Sequence, residues 1–119
     1  MILAEAGYTE SKHNARITQI SQSNHSDISD VIHAVCQLYQ DLYNVDKYNI
    51  NCGMCEDFAH DIAYLTNNQA IPMWNDEIDD LVLNCAHCVI YYHEKYYDSQ
   101  HPFGSTKQQL LLWDIFADR

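Results

Sequence analysis

Basic residues are scarce in this 119-residue chain: 6 Lys and Arg stand against 17 Asp and Glu, a formal charge of −11 at neutral pH. Without a basic stripe to offset that field, a phosphate backbone is repelled, so nucleic acid is not an expected partner. Glycine and proline are also few, 3 and 2, which excludes collagen-like and low-complexity chains. No apolar run approaches the roughly 20 residues that a membrane helix needs, so no membrane partner is expected. The N-terminal Met1-Ile2-Leu3-Ala4-Glu5 is too short and too acidic for a signal peptide, and the expectation is a soluble cytoplasmic protein.

What remains is a chain that is 47% hydrophobic and long enough for one core, so a single domain over 1–119 is expected. Five cysteines are present. An odd number in a chain with no secretion signal argues against a disulfide framework. Four fall in two pairs, Cys52-Gly53-Met54-Cys55 and Cys85-Ala86-His87-Cys88.

Residues 1–25 are polar and carry little pattern. From Ser26 onward Ile28, Val31, Ile32, Val35, Leu38, Tyr39 and Leu42 recur at spacings of three and four, which predicts a helix with one buried face. Ser26, Asp27 and Ser29 offer N-cap oxygens, and Asn44 can end it. A polar loop is expected over 46–53, then a second helix with Phe58, Ala59, Ile62, Ala63 and Leu65 inside, stopped by Asn67-Asn68. With Met54 as N-cap, Asp57 falls at the position from which a capping box reaches back to the cap amide. An acidic loop follows at 75–80. Val89–Tyr92 and Tyr96–Asp98 then read as strands around the charged His93-Glu94-Lys95. His101-Pro102-Phe103-Gly104 reads as punctuation, and a last helix is expected from Ser105 or Thr106 through Leu110, Leu111, Trp113 and Phe116. Helices first and a hairpin later predict an α+β domain, with a small antiparallel sheet.

The chemistry concentrates at Gly53-Met54-Cys55-Glu56-Asp57. A cysteine in the first turn of a buried helix lies in the field of unpaired backbone N–H groups, which favours a thiolate. The same amides can hold the oxyanion formed when that thiolate attacks a carbonyl. Glu56 and Asp57 oppose the thiolate, so a cationic partner is needed, and His87 at the start of a strand is the candidate. Asp98 on the next strand is the candidate carboxylate for the far side of the imidazole. With a two-residue turn at Glu94-Lys95, Asp98 pairs with Tyr91, about four residues along the ladder from His87. Twist, a bulge or a shifted register must then close the gap. Asn51, Trp74 and His101 are further candidates for oxyanion or substrate contacts.

The pattern Gly53-x-Cys55-x-Asp57-Phe58-Ala59, then Ala70-Ile71-Pro72, His87-x-Val89-x-Tyr91 and Tyr96-Tyr97-Asp98 resembles the transglutaminase-like branch of papain-fold cysteine enzymes. The resemblance covers about residues 50–104. It implies a papain-like core in which a nucleophile-bearing helix packs on a small antiparallel sheet. It also implies amide or isopeptide chemistry on a protein or peptide, as protease, deamidase or acyltransferase. Carried over by position, Cys55 is the nucleophile, His87 the general base and acid, and Asp98 the orienting residue. The spacing from His87 to Asp98 is shorter than in many members and closer to that of NlpC-type cell-wall peptidases. The Glu56-Asp57 pair is similar to that of calcium-dependent members, although solvated helix carboxylates are the plainer reading. No cofactor is otherwise implied.

A different class of protein competes with this reading. Cys52, Cys55, Cys85 and Cys88 together can supply four thiolates to a structural zinc ion. The stretch between the two pairs is longer than in a usual zinc ribbon, and Glu56 and Val89 stand where such knuckles favour glycine. A zinc-stapled domain, or a papain-like fold that has lost catalysis, would serve as a protein-interaction module. Cys36, His33 and His60 read as helix residues without a site role, with Glu56 and His60 able to pair at i,i+4. His13 and His25 fall in unpatterned sequence.

Overall fold

A computed structural model describes residues 2–23, 27–78, 87–110 and 113, with side chains from residue 9 onward. Among the described residues the chain runs α1 (Ile2–Gln22), α2 (Ile28–Tyr43), α3 (Lys47–Gly53), α4 (Cys55–Leu65), β1 (Ile71–Trp74), a short 3-10 turn (Asn75–Glu77), β2 (Cys88–Tyr92), β3 (Lys95–Asp98), β4 (His101–Ser105) and α5 (Lys107–Leu110). The strands form one antiparallel sheet in the order β1-β2-β3-β4. The architecture is α+β, with helices grouped on the sheet as the order of patterns implied. No helix among the described residues is long and apolar enough to cross a membrane.

The central helix is the one whose sequence is most periodic. Asp27 caps α2 by accepting from the Asp30 amide at 3.1 Å, and Asn44 ends it in the left-handed region at φ 56°. Its stripe of Val31, Ile32, Val35, Leu38 and Tyr39 is buried against Phe58, Ala59 and Ile62 of α4 and Cys88, Ile90 and Tyr97 of the sheet. A smaller cluster on the other side joins Val89 to Ile78, Leu110 and Trp113. Alternation along β2 therefore sends Cys88 and Ile90 toward the helices and Val89 toward α5.

Several local expectations are corrected. The unpatterned N-terminus is a helix of 21 residues. Only Ile17 and Ile20 of its described residues are buried, and much of its docking is polar. His13 reaches Asp61 Oδ2 on α4 at 2.9 Å, and Tyr43 Oη on α2 lies 2.7 Å from its other nitrogen. A carboxylate only accepts, so Nε2 carries the proton and Nδ1 takes the tyrosine's. Tyr39 also donates to Asp61, at 2.7 Å. Burial, ahead of these bonds, pushes the Asp61 carboxyl above its ordinary value.

The expected loop at 46–53 is α3, capped by Asp46 accepting from the Asn49 amide at 2.9 Å. The capping box at Met54 does not form, because the Met54 amide donates to Ile50 O at 2.8 Å. Gly53 ends α3 without a left-handed turn, and a Cβ there would meet nothing within 4 Å. Asn67 and Asn68 do stop α4, at φ 55° and 64°. The expected punctuation at 101–104 is β4. Gly104 sits in it at φ +85°, where a Cβ would come within 2.7 Å of the Tyr97 ring. Ser105 belongs to β4 and Thr106 caps α5, exchanging bonds with Gln109 at 3.2 and 2.9 Å. Ser26, Asp79-Asp80, Leu111 and Phe116 lie outside the described residues.

The hairpin turn is displaced by one residue from the sequence expectation. Tyr92 pairs with Lys95, which leaves His93 and Glu94 as the two turn residues, both left-handed at φ 47° and 66°. Two positive φ values make a type I′ turn, the form that fits strand twist and favours Asn-Gly. Left-handed backbone costs an ordinary L-residue about 1–2 kcal/mol, so replacing His93→Asn together with Glu94→Gly is expected to stabilise the protein by roughly 1 kcal/mol. Urea unfolding read by circular dichroism checks this, as an upward shift of the midpoint at unchanged slope.

Candidate active site

One end of the sheet gathers the chemically active side chains. β1 leaves the sheet into Asn75, β2 enters just after His87, β3 leaves at Asp98 and β4 enters at His101. The junction of α3 and α4 lies against the same end, which brings Asn51 and Cys55 to it.

The displaced turn places Asp98 there. With Ile90 paired to Tyr97, the next step along the ladder sets Asp98 opposite Val89, two residues from His87 rather than four. His87 Nε2 donates to Asp98 Oδ2 at 3.1 Å, with both side chains buried. No bulge between β2 and β3 is involved, and the irregularity in the sheet lies instead between β3 and β4. Because Nε2 is committed to a carboxylate, Nδ1 is the ring nitrogen left to serve the thiol. The Cys88 amide donates to Cys55 Sγ at 3.4 Å, and the His87 ring lies near enough to the thiol for each to shift the other's ionisation.

The electrostatics follow from those contacts. Burial disfavours a charged sulfur at Cys55. The His87 ring and the Cys88 and Glu56 amides outweigh it and bring the thiol below its ordinary value. Burial likewise pulls against an imidazolium at His87, yet Asp98 and Cys55 push its pKa up to about 9. Both shifts lean toward a thiolate beside an imidazolium. Asp98 is held below the usual carboxylate range: its burial is overcome by His101 and His87.

Asp98 is itself held from four directions. Besides His87, it accepts from Asn51 Nδ2 at 2.9 Å, the Gln100 amide at 2.9 Å and His101 Nδ1 at 2.7 Å. Asn51, a candidate for the oxyanion, has its amide turned to this task. Its Nδ2 also donates to Gln100 Oε1 at 2.8 Å, and its Oδ1 accepts from the Ser99 hydroxyl at 2.8 Å. It is a buried support for the carboxylate. His101 likewise reaches Asp98 and stacks on Trp113 at 3.7 Å between ring centroids, the planes 1° apart. Trp74 ends β1 half-buried and opposite Cys88 in the ladder, the residue whose amide faces the thiol.

Asn75 is the site residue that sequence reasoning passed over. Its amide donates to His87 O at 3.0 Å, and its side-chain Oδ1 accepts from the His87 amide at 2.9 Å. The backbone on both sides of the imidazole is thereby fixed, with Asn75 buried at 7% exposure. The sequence shows only an Asn after a tryptophan at the head of an acidic stretch, so the signal was the strand pairing, which was not visible.

Among the described residues no group of three or more His, Cys, Asp or Glu is placed to hold an ion. Of the zinc alternative, Cys85 lies outside the described residues and Cys52 is exposed. The Cys88 thiol is buried and pushed up to about 12, first by burial and then by the negative charge of Cys55, Glu56 and Glu77. The calcium alternative places Glu56 in solvent, 3.9 Å from His60. His33 bonds its own helix at Ser29 O, and the Cys36 thiol turns to Ser99 O at 3.7 Å. His25 is outside the described residues.

The chain matches no protein-family model, no curated protein and no solved structure.

Proposed function

We propose that the protein is a thiol-dependent enzyme acting on an amide or isopeptide bond of a protein or peptide, with a papain-like arrangement of helix and sheet. The observation that carries this reading is the meeting of Cys55, His87 and Asp98 at one end of the sheet, with the His87 ring bonded to Asp98 and the ring and the Cys55 thiol shifting each other's ionisation. Cys55 Sγ attacks the carbonyl carbon, and the oxyanion faces the amides at the start of α4, that of Cys55 first. His87 Nδ1 delivers its proton to the leaving nitrogen, and the C–N bond breaks to leave a thioester on Cys55. His87 then takes a proton from the incoming nucleophile, which attacks the thioester and frees the thiol. Water as that nucleophile gives hydrolysis or deamidation, and an amine gives transfer. Asp98 keeps Nε2 protonated, so Nδ1 is always the nitrogen that faces the sulfur.

The test is a panel of blocked peptides containing glutamine, with and without a primary amine. Mass spectrometry then reads cleavage, conversion of amide to acid, or amine incorporation. A product formed by the native protein and lost in Cys55→Ala supports the reading. Equal product from Cys55→Ala, or Cys55 alkylated by iodoacetamide no faster than Cys36, overturns it.

A further inference from the structure

One exposed thiol stands three residues before the candidate nucleophile. Cys52 lies in α3 one residue before its end, and among the described cysteines it is the exposed one. Helical bonds run up to and away from the intervening joint: the Met54 amide donates to Ile50 O at 2.8 Å and Met54 O accepts from the Phe58 amide at 3.0 Å. On such a path residues three apart bring their Cβ atoms to roughly 5–6 Å, against about 3.5–4.5 Å in a disulfide. Met54, at φ −125° and ψ 19°, marks where the backbone departs from helix and can take up the difference. A side chain at Gly53 would meet nothing within 4 Å, so that residue of the link offers no steric resistance to a shift.

Resting on the reading of Cys55 as a reactive thiolate, we infer that Cys52 is the resolving thiol of an oxidation switch: a hydroperoxide oxidises Cys55, and Cys52 closes a disulfide that takes the nucleophile out of action. In the first step Cys55 S⁻ attacks the outer oxygen of the hydroperoxide and the O–O bond breaks. Sulfur is oxidised to a sulfenic acid, and the alkoxide or hydroxide leaves with the proton of His87. In the second step Cys52 sulfur attacks Cys55 sulfur. The S–S bond forms, the S–O bond breaks, and hydroxide leaves as water with the Cys52 proton. A dithiol reverses the change. The other described thiols are ill suited to the second step. Cys88 is buried, and Cys36 bonds Ser99 O while burial and Asp98 push its thiol up to about 11.

Hydrogen peroxide added to the reduced protein at neutral pH tests this. Cleavage after Lys47 and Glu56 releases peptide 48–56, which holds Cys52 and Cys55 and no other cysteine. The expected result is that peptide two hydrogens lighter, restored by dithiothreitol, with Cys55 oxidised about tenfold faster than Cys36. In Cys52→Ser, Cys55 is expected to pass to the sulfinic acid and to resist dithiothreitol. A Cys52→Ser protein that recovers as fully as the native one, or a disulfide from Cys55 to Cys36, Cys85 or Cys88, overturns the switch. A Cys55 alkylation rate no greater than that of Cys36 instead overturns the reading of the site. Because the switch is read by mass, inactivity on every peptide offered leaves its test standing.

Discussion

Replacing His87 with Ala is expected to slow iodoacetamide alkylation of Cys55 at pH 6 by a factor of about 10 to 100, with Cys36 unaffected. The argument is one of ionisation. An ordinary thiol is less than about 1% thiolate at pH 6, and an imidazolium beside it lowers its pKa and raises that fraction. The gain in rate is smaller than the gain in thiolate, because a sulfur of lower pKa is a weaker nucleophile. Removing the ring leaves the burial at Cys55 and takes away the His87 contribution that leads the opposition to it. The alkylation profile of the variant should therefore move to higher pH and rise only in the alkaline range.

Turnover has a second limb. Productive chemistry needs His87 protonated, so it is expected to rise as pH passes the lowered Cys55 value and fall as pH passes about 9. Equal alkylation rates in the native protein and His87→Ala at pH 6, with unchanged circular dichroism, would remove the ion pair from the account. His87→Gln, which keeps a polar side chain of similar bulk, is the companion variant if Ala unfolds.

The largest loss of stability is expected at Asp98. Its carboxylate is 3% exposed and accepts from two imidazoles, one amide side chain and one backbone N–H. Removing it by Asp98→Ala leaves those donors, His87 and Asn51 among them buried, without their acceptor, a loss of about 3–5 kcal/mol by comparison with broken buried ion pairs. In a domain of this size the melting temperature should fall by roughly 10–20 °C. Asp98→Asn is expected to cost less, about 2 kcal/mol, because one oxygen still accepts while the new NH₂ group opposes a donor.

The pH dependence separates this from a simple cavity. Asp98 is held below its ordinary value, so its contribution is present above the unfolded-state pKa near 4 and is lost as pH falls through the lower folded value. The native protein should lose stability on acidification over that range, and Asp98→Ala should lose less. Parallel acid limbs for the two proteins, or a change in melting temperature of less than a few degrees, would mean that the carboxylate does not organise the site.

How much of this was legible in the sequence depended on which force shapes each element. The periodic stripe of α2 and the Phe58-Ala59-Ile62-Ala63 face of α4 announce themselves because apolar burial fixes both. The long N-terminal helix did not, because much of its docking runs through His13, Tyr43 and Asp61, and hydrophobic spacing carries no trace of such a network. The hairpin was readable, yet its turn was not. His93 and Glu94 lack the Asn-Gly signature of left-handed residues, and a shift of one residue changed the partner of Tyr91 from Asp98 to Tyr96. Cys55, His87 and Asp98 were named from residue type and order. The bonds that Asn51 and Asn75 make were not legible, since what an asparagine side chain bonds is decided by strands paired far along the chain.

The end of the sheet where these groups meet draws on segments distant in sequence. Asn51 and Asp98 are 47 residues apart, and Cys55 and Cys88 are 33. No fragment of the chain carries the arrangement. Sulfur in a nascent or partly unfolded molecule is an ordinary thiol, and it sharpens only when the last long-range pairings close. A burst of fast alkylation at Cys55 during refolding would thus time the completion of the fold, and the protein stays chemically quiet until it is whole.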